Sequence, residues 1–522
     1  MIHGMITAAA TSRPAAPPRP GPAAGPQGPN RVAVIGSGPA GLTAALQIAR
    51  AGIAVDVYEA AAEVGGLSRS IELWGRRVDL GPHRFFSADA RVDGFWRTIV
   101  GDDHHVVDRL TRIHFDGKLF AYPLRPLDIM RHLGFGECLR SMLSYGLQCV
   151  RHPARRVDEE SFEDWVIRRF GRRLYDTFFK TYSEKLWGIP CTRLSRDFAA
   201  QRIRRLTLGD VVTHAVAGGR SSRHRTLADC FAYPRGGTGM VYERIAARLE
   251  EEGGRVLLRQ PVREVVTAAG SVTGLRLDDG RVEDYDHVIS TMPLTLLVRG
   301  LGSAPPAVHA AAARLSFRNT ILVYLRIRAS DLFPDQWVYV HDPAVRVGRV
   351  TNFNNWGPAG AQRPPDTILC CEYWCSPADS IWTASDPDLQ RWAATELRAT
   401  GLLRDQAVDD GHVIRVPRSY PVYELGYRRH VETIADHLRG IRGLTAIGRY
   451  GSFKYNNQDH SILMGLLASD NLLRGRTHDL WGLNADIDRY QEDFAVAESG
   501  LVAPGEARHT AEPIEPAALS AA

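Results

Sequence analysis

The stretch Arg31-Val32-Ala33-Val34-Ile35-Gly36-Ser37-Gly38-Pro39-Ala40-Gly41 constrains the fold of this chain more than any other. A short apolar run leads into the glycines, and LTAALQIARAG leaves them with helical periodicity that stops at Gly52. A second strand, Ile53 to Tyr58, follows and ends at Glu59. Glycine-rich turns are common, but strand, GxGxxG turn, helix, strand and closing carboxylate together are the context that dinucleotide binding requires. Gly36 allows the tight turn, Gly38 lets a pyrophosphate approach the backbone, and Gly41 lets helix and strand pack closely. The helix start, with Pro39 and Ala40 in its first turn, offers free N–H groups and the positive dipole end to phosphate. Glu59 is placed to accept hydrogen bonds from ribose hydroxyls, which favours an unphosphorylated 2′-OH.

The 522 residues allow two to four domains of about 150 residues each. With 44% hydrophobic and 24% charged residues, the chain is an ordinary globular sequence, not a disordered or fibrous one. The formal charge of +5, from 64 basic and 59 acidic residues, is too small an excess to predict a nucleic-acid partner. The 7 cysteines are odd in number and scattered, so a disulfide framework is not expected and a reducing cytoplasm is the expected setting. Cys370, Cys371 and Cys375 lie in an apolar run without the paired spacing of a zinc site, and no metal is expected. No apolar run reaches the roughly 18 residues of a membrane span.

Residues 1–30, rich in Pro, Ala and Gly, read as a disordered tail. The dinucleotide unit begins at 31–95. From 96 to 235 the pattern reads as mainly helical, with Asp102-Asp103-His104-His105 as a solvated loop. Short alternating strands in 236–295, with Asp279-Gly280 as a hairpin turn, read as a second part of the dinucleotide domain. A β-rich segment covers 296–440, and 441–475 returns as strand, loop and helix. Residues 476–522 read as a helix followed by a second tail.

Glu63-Val64-Gly65-Gly66-Leu67-Ser68, just beyond Glu59, resembles the glycine-pair extension of the glutathione-reductase-like flavoproteins. That resemblance implies FAD rather than NAD, held by Gly36, Gly38, Pro39, Ala40, Gly41, Glu59, Gly66, Leu67 and Val262. The late segment Ile447-Gly448-Arg449 would close over the flavin. The implied fold class is α/β: a Rossmann-like FAD domain of the glutathione-reductase type, an inserted helical domain and an antiparallel β-sheet substrate domain.

Further stretches resemble the UDP-galactopyranose mutase family, within the wider protoporphyrinogen-oxidase and amine-oxidase-like superfamily. Gly81-Pro82-His83-Arg84-Phe85-Phe86-Ser87 is similar to a motif whose histidine lies beside the flavin ring. Tyr182-Ser183-Glu184-Lys185-Leu186-Trp187-Gly188 resembles one whose tyrosine stacks on a nucleotide base and whose tryptophan supports the pocket. Arg202 and Arg349 fall on the two arginines that grip the diphosphate, and Tyr420 and Tyr455 on two phosphate-contacting tyrosines. In YNNQDHSILMGLLASDNL, Asn457, Gln458 and Ser461 align with contacts to flavin and substrate phosphates. The resemblance implies a nucleotide-diphosphate sugar as substrate and ring-size isomerisation through a reduced-flavin N5 adduct, without net redox. NAD(P)H or another reductant would prime the flavin. The alternative is an FAD-dependent oxidase or desaturase, in which the arginines hold another anionic group. The loop after Arg202, RIRRLTLGDVVTHAV, lacks the aromatics of the bacterial mutases, so a different sugar-facing lid is expected.

Overall fold

The Gly-rich turn sits where two β-layers meet. The computed structural model describes residues 29–124, 126–151, 161–197, 229–358 and 360–483. Strand β1 (Arg31–Ile35), helix α1 (Pro39–Arg50) and strand β2 (Ala54–Tyr58) follow one another as the sequence predicts. They join a five-stranded parallel sheet in the order Leu444–Ala446, His287–Ser290, β1, β2, Arg255–Leu257. Three of its strands thus come from distant parts of the chain. Parallel strands buried on both faces need continuous apolar runs, and β1 shows this, with Val32 to Ile35 all buried. On one face α1 packs against the helix Gln458–Arg474 so closely that a Cβ at Gly465 would lie 2.5 Å from the Ala40 carbonyl oxygen.

The second layer is a seven-stranded sheet. Its order is Val408–Pro421, Phe317–Ile327, Thr367–Cys375, Arg349–Asn352, Trp337–Val340, Thr111–Phe115, Lys118–Ala121. The last two strands interrupt the stretch 96–235, whose described residues are otherwise mainly helical. There the chain forms strands His104–Asp108, Thr111–Phe115 and Lys118–Ala121 between the helix Ala90–Val100 and the helices from Pro126 onward. TRIHF and KLFA flank Asp116-Gly117, both at positive φ, which is hairpin chemistry. The stretch expected to be a solvated loop is likewise a strand from His104, paired with Cys230–Pro234, and His105 Nε2 lies 2.7 Å from the Trp356 carbonyl oxygen. A three-stranded sheet, Val262–Ala268, Ser271–Leu277 and Val282–Asp284, turns at Asp279-Gly280 as expected. Residues 1–28 and 484–522, which hold most of both expected tails, lie outside the described residues. Residues 476–483 form turns and extended chain, not helix. Among the described residues no helix is long and apolar enough to cross a membrane.

Candidate active site

A cavity of about 550 Å³ opens between the two layers, at the carboxyl ends of β1, β2 and the strands His287–Ser290 and Leu444–Ala446. Ligands of open parallel sheets bind at such strand ends. Its first wall is the Gly-rich turn. Gly36, at φ +97°, donates its N–H to the Tyr58 carbonyl, and any Cβ there would strike Thr291 Oγ1. A Cβ on Gly41 would lie 2.0 Å from the Gly36 oxygen, so helix and turn touch backbone to backbone. Gly38 differs: it caps α1 without a side-chain hydrogen bond, and a Cβ there would meet nothing within 4 Å. The helix start is left open to the cavity, which suits a phosphate.

Gly65 donates to the Ser37 carbonyl at 2.8 Å, folding the glycine pair back onto the turn. Gly66, at φ +57°, would carry a Cβ only 3.2 Å from Gly38 Cα. Glu59 closes the wall, its Oε2 accepting from Ser37 N at 2.9 Å and Oγ at 2.8 Å and its Oε1 from Ala61 N at 2.8 Å. Gly36, Gly38, Pro39, Ala40, Glu59, Gly66, Leu67 and Val262 all line the cavity; Gly41 stands behind them.

The opposite wall comes from the seven-stranded sheet. Arg349 and Glu372 face each other across neighbouring antiparallel strands, in direct register. Nε meets Oε1 and Nη2 meets Oε2, each at 2.6 Å, a bidentate pair with Glu372 only 2% exposed. The carboxylate holds the Arg349 guanidinium above its ordinary pKa against the opposing effect of burial. Glu372 was not among the expected site residues. Its signal was there: it is the lone charge in TILCCEYWC, a fully buried nine-residue strand, and a buried charge requires a partner. Gly81, at φ +88°, brings the His83 loop against this carboxylate, where a Cβ would lie 3.1 Å from Oε1. Burial, together with the charges of Arg349 and Arg449, pushes the His83 imidazole down to about 4. His83 is therefore neutral near pH 7.

Tyr420 and Tyr455 stack with centroids 5.4 Å apart and planes 21° from parallel. Arg449 lies over both rings, 4.9 and 4.3 Å from the centroids, and donates to the carbonyls of Ser419 and Asn456. It thus ties the strand end that carries Tyr420 to the loop that carries Tyr455. Trp187, fully buried, packs edge-on to both phenols and stacks on Tyr423. Trp187 and Tyr182 do not line the cavity; they back its wall. Tyr182 stacks on His341 at 4.5 Å and meets Tyr339 and Trp374 edge-on. The helix Lys180–Trp187 that carries both is held by Lys185, which donates to the carbonyls of Val340, Asp342 and Val347.

His83, Arg349, Tyr420, Tyr455, Asn457, Gly448, Arg449, Gln458 and Ser461 all line the cavity. Gln458 is committed within it, accepting from Tyr242 Oη and donating to the Arg84 carbonyl. Ser461 Oγ donates to the Asn457 carbonyl. Arg202 lies outside the described residues.

Known proteins share this fold. A reduced UDP-galactopyranose mutase structure superposes with a TM-score of 0.76 at 23% identity, over 88% of this chain and 96% of that one. A putrescine oxidase bound to putrescine superposes with a TM-score of 0.59 at 17% identity, over 85% and 99%. In sequence, hydroxyneurosporene desaturase of Cereibacter sphaeroides is 27% identical over 53% of this chain and 59% of its own length. The dTDP-fucopyranose mutase of Escherichia coli is 29% identical over 32% of this chain and 45% of its own length. The matches thus span about half the length of these relatives. Residues 39–401 match the flavin-containing amine oxidoreductase family, to which this chain belongs.

Proposed function

We propose that this protein is an FAD-dependent nucleotide-sugar mutase that interconverts pyranose and furanose forms of a nucleotide-diphosphate sugar. The observation that carries the reading is the polar, phenolic wall facing the dinucleotide turn within one cavity: Arg349, Tyr420 and Tyr455, with Asn457 beside them. A hydrocarbon substrate would gain nothing from these groups, whereas phosphate oxygens accept hydrogen bonds from a guanidinium and from phenols. A diphosphate uses them all.

In this reading the parallel sheet is a Rossmann-like domain of the glutathione-reductase type, with the FAD pyrophosphate at the start of α1 and its ribose at Glu59. The open face of Gly38 and the folded-back Gly66 fit that group. A bound flavin, once reduced by NAD(P)H or another donor, supplies the nucleophile that lets an anomeric C–O bond break and re-form without net oxidation. This chain's own residues hold the leaving diphosphate. Arg349 spends Nε and Nη2 on Glu372, so its Nη1 edge and the two phenols grip the phosphates. The resemblance assigns the clamp's second guanidinium to Arg202, which lies outside the described residues. Tyr182 and Trp187 stiffen the aromatic wall for the base, and neutral His83 packs beside the ring without repelling a cationic sugar.

One observation favours the alternative of an oxidase or desaturase. Glu372 cancels the charge of Arg349, which lowers the cavity's attraction for an anion. Incubating the dithionite-reduced protein with nucleotide sugars under anaerobic conditions separates the two. A ring-size isomer supports the mutase; oxygen uptake by the oxidised protein with an amine or a saturated substrate, and no isomer, supports the alternative.

A further inference from the structure

The helix Phe135–Arg151 is turned inside out. Leu139, Met142, Leu143 and Leu147, at i, i+3, i+4 and i+8, lie on one face and are 47%, 50%, 60% and 56% exposed. Met130, in the last turn of the preceding helix Pro126–Leu133, adds a further 44% exposed side chain. The inward face instead buries Ser141. It is fastened by backbone contact, since a Cβ at Gly171 would lie 3.0 Å from Tyr145 N, and by the Arg173–Glu137 ion pair. The helix is therefore anchored with its most apolar side outward, and Leu139 to Leu147 extend about 12 Å along it. Among the described residues nothing covers that side.

We propose that this face docks the protein in the interfacial plane of an anionic lipid bilayer. Charge selects this occupant. Arg131 is exposed and, among the described residues, makes no ion pair; Arg140 stands on the apolar face itself with its side chain 70% exposed. The one acidic neighbour on this helix, Glu137, is shared between Arg140 and Arg173, so the cluster stays cationic. At a bilayer, arginines extend from the edge of a buried apolar face to lipid phosphates. In a twofold dimer with its axis near Arg140, that residue would meet its own copy, and like charges would be buried together. The inference does not depend on the reaction catalysed in the cavity.

The test is co-sedimentation of the full chain with vesicles of phosphatidylcholine alone or mixed with phosphatidylglycerol. The protein should sediment with the anionic vesicles, less so as salt rises. Leu143→Glu/Leu147→Glu should reduce the bound fraction roughly tenfold or more, whereas Trp392→Glu, an exposed apolar residue elsewhere, should leave it unchanged. Hydrogen exchange on the unmutated protein needs no variant to fold: anionic vesicles should slow exchange within Phe135–Arg151. Failure to bind anionic vesicles, equal binding by the Leu143→Glu/Leu147→Glu variant, or a dimer that this variant abolishes would each overturn the proposal.

Discussion

Arg349 and Glu372 form a two-bond ion pair, 2.6 Å at each contact, in the wall of the cavity. Removing one member strands the other's buried charge, so Arg349→Ala should destabilise the fold by about 3–5 kcal/mol. The double replacement Arg349→Met/Glu372→Leu should recover much of that loss. Glu372→Gln keeps the shape but leaves Arg349 unneutralised. A nucleoside diphosphate should then bind about tenfold more tightly, by titration calorimetry, equivalent to about 1.4 kcal/mol.

Tyr420 and Tyr455 are assigned as neutral donors to phosphate. Tyr420→Phe and Tyr455→Phe should each lower kcat/KM for a nucleotide sugar about 10- to 100-fold, the range for one hydrogen bond to a charged group. The stacked rings remain, so melting temperatures should hardly move. Arg449→Ala, which unties the Tyr420 strand end from the Tyr455 loop, should lower activity and melting temperature together.

Two glycines of one motif should respond differently. Gly38→Ala adds a methyl group to open cavity at φ −77°, so the fold should hold while the purified protein loses its visible flavin absorbance. Gly41→Ala collides with the Gly36 carbonyl, so melting temperature and flavin content should fall together.

Asp79 and His83 pull stability in opposite directions with pH. Asp79, fully buried beneath Ser70, Tyr233 and Thr238, has its carboxyl pushed up by burial to about 6 from 3.8. The native state then holds a proton that the unfolded state has lost, so this group makes stability fall as pH rises from about 4 to 6. His83, lowered from 6.5 to about 4, does the reverse: the unfolded state binds the extra proton, and stability rises over that range. Each is worth on the order of 3 kcal/mol over its full range. Urea midpoints of the unmutated protein should change little between pH 4 and 6. Asp79→Asn should expose a rise with pH, and His83→Asn a fall.

What could be read from the sequence was local. β1, the glycine turn, α1 and β2 are contiguous, and each signal lies within a few residues of its consequence. The strands after Ala90–Val100 were hidden because Thr111–Phe115 pairs in parallel with Trp337–Val340, more than two hundred positions away. The Arg349–Glu372 contact depends on strand register, which no motif encodes; only the isolated charge in a buried strand hinted at it. Tyr182 and Trp187 were legible as a pair on one helix, but not their place behind the wall, because that is set by Lys185 reaching three carbonyls of a distant hairpin. The outward apolar face of Phe135–Arg151 was read only as helix, since periodicity gives a face but not its direction.

The most direct test follows both sugar and flavin in one anaerobic reaction. The reduced protein is mixed with a panel of nucleotide-diphosphate sugars, ring size is read by NMR, and flavin oxidation state by absorbance. A nucleotide-sugar mutase should turn over at least one sugar to its ring isomer while the flavin stays reduced, and Arg349→Ala should lose that turnover. Stoichiometric flavin oxidation or reduction in step with product, with no change of ring size, would contradict it.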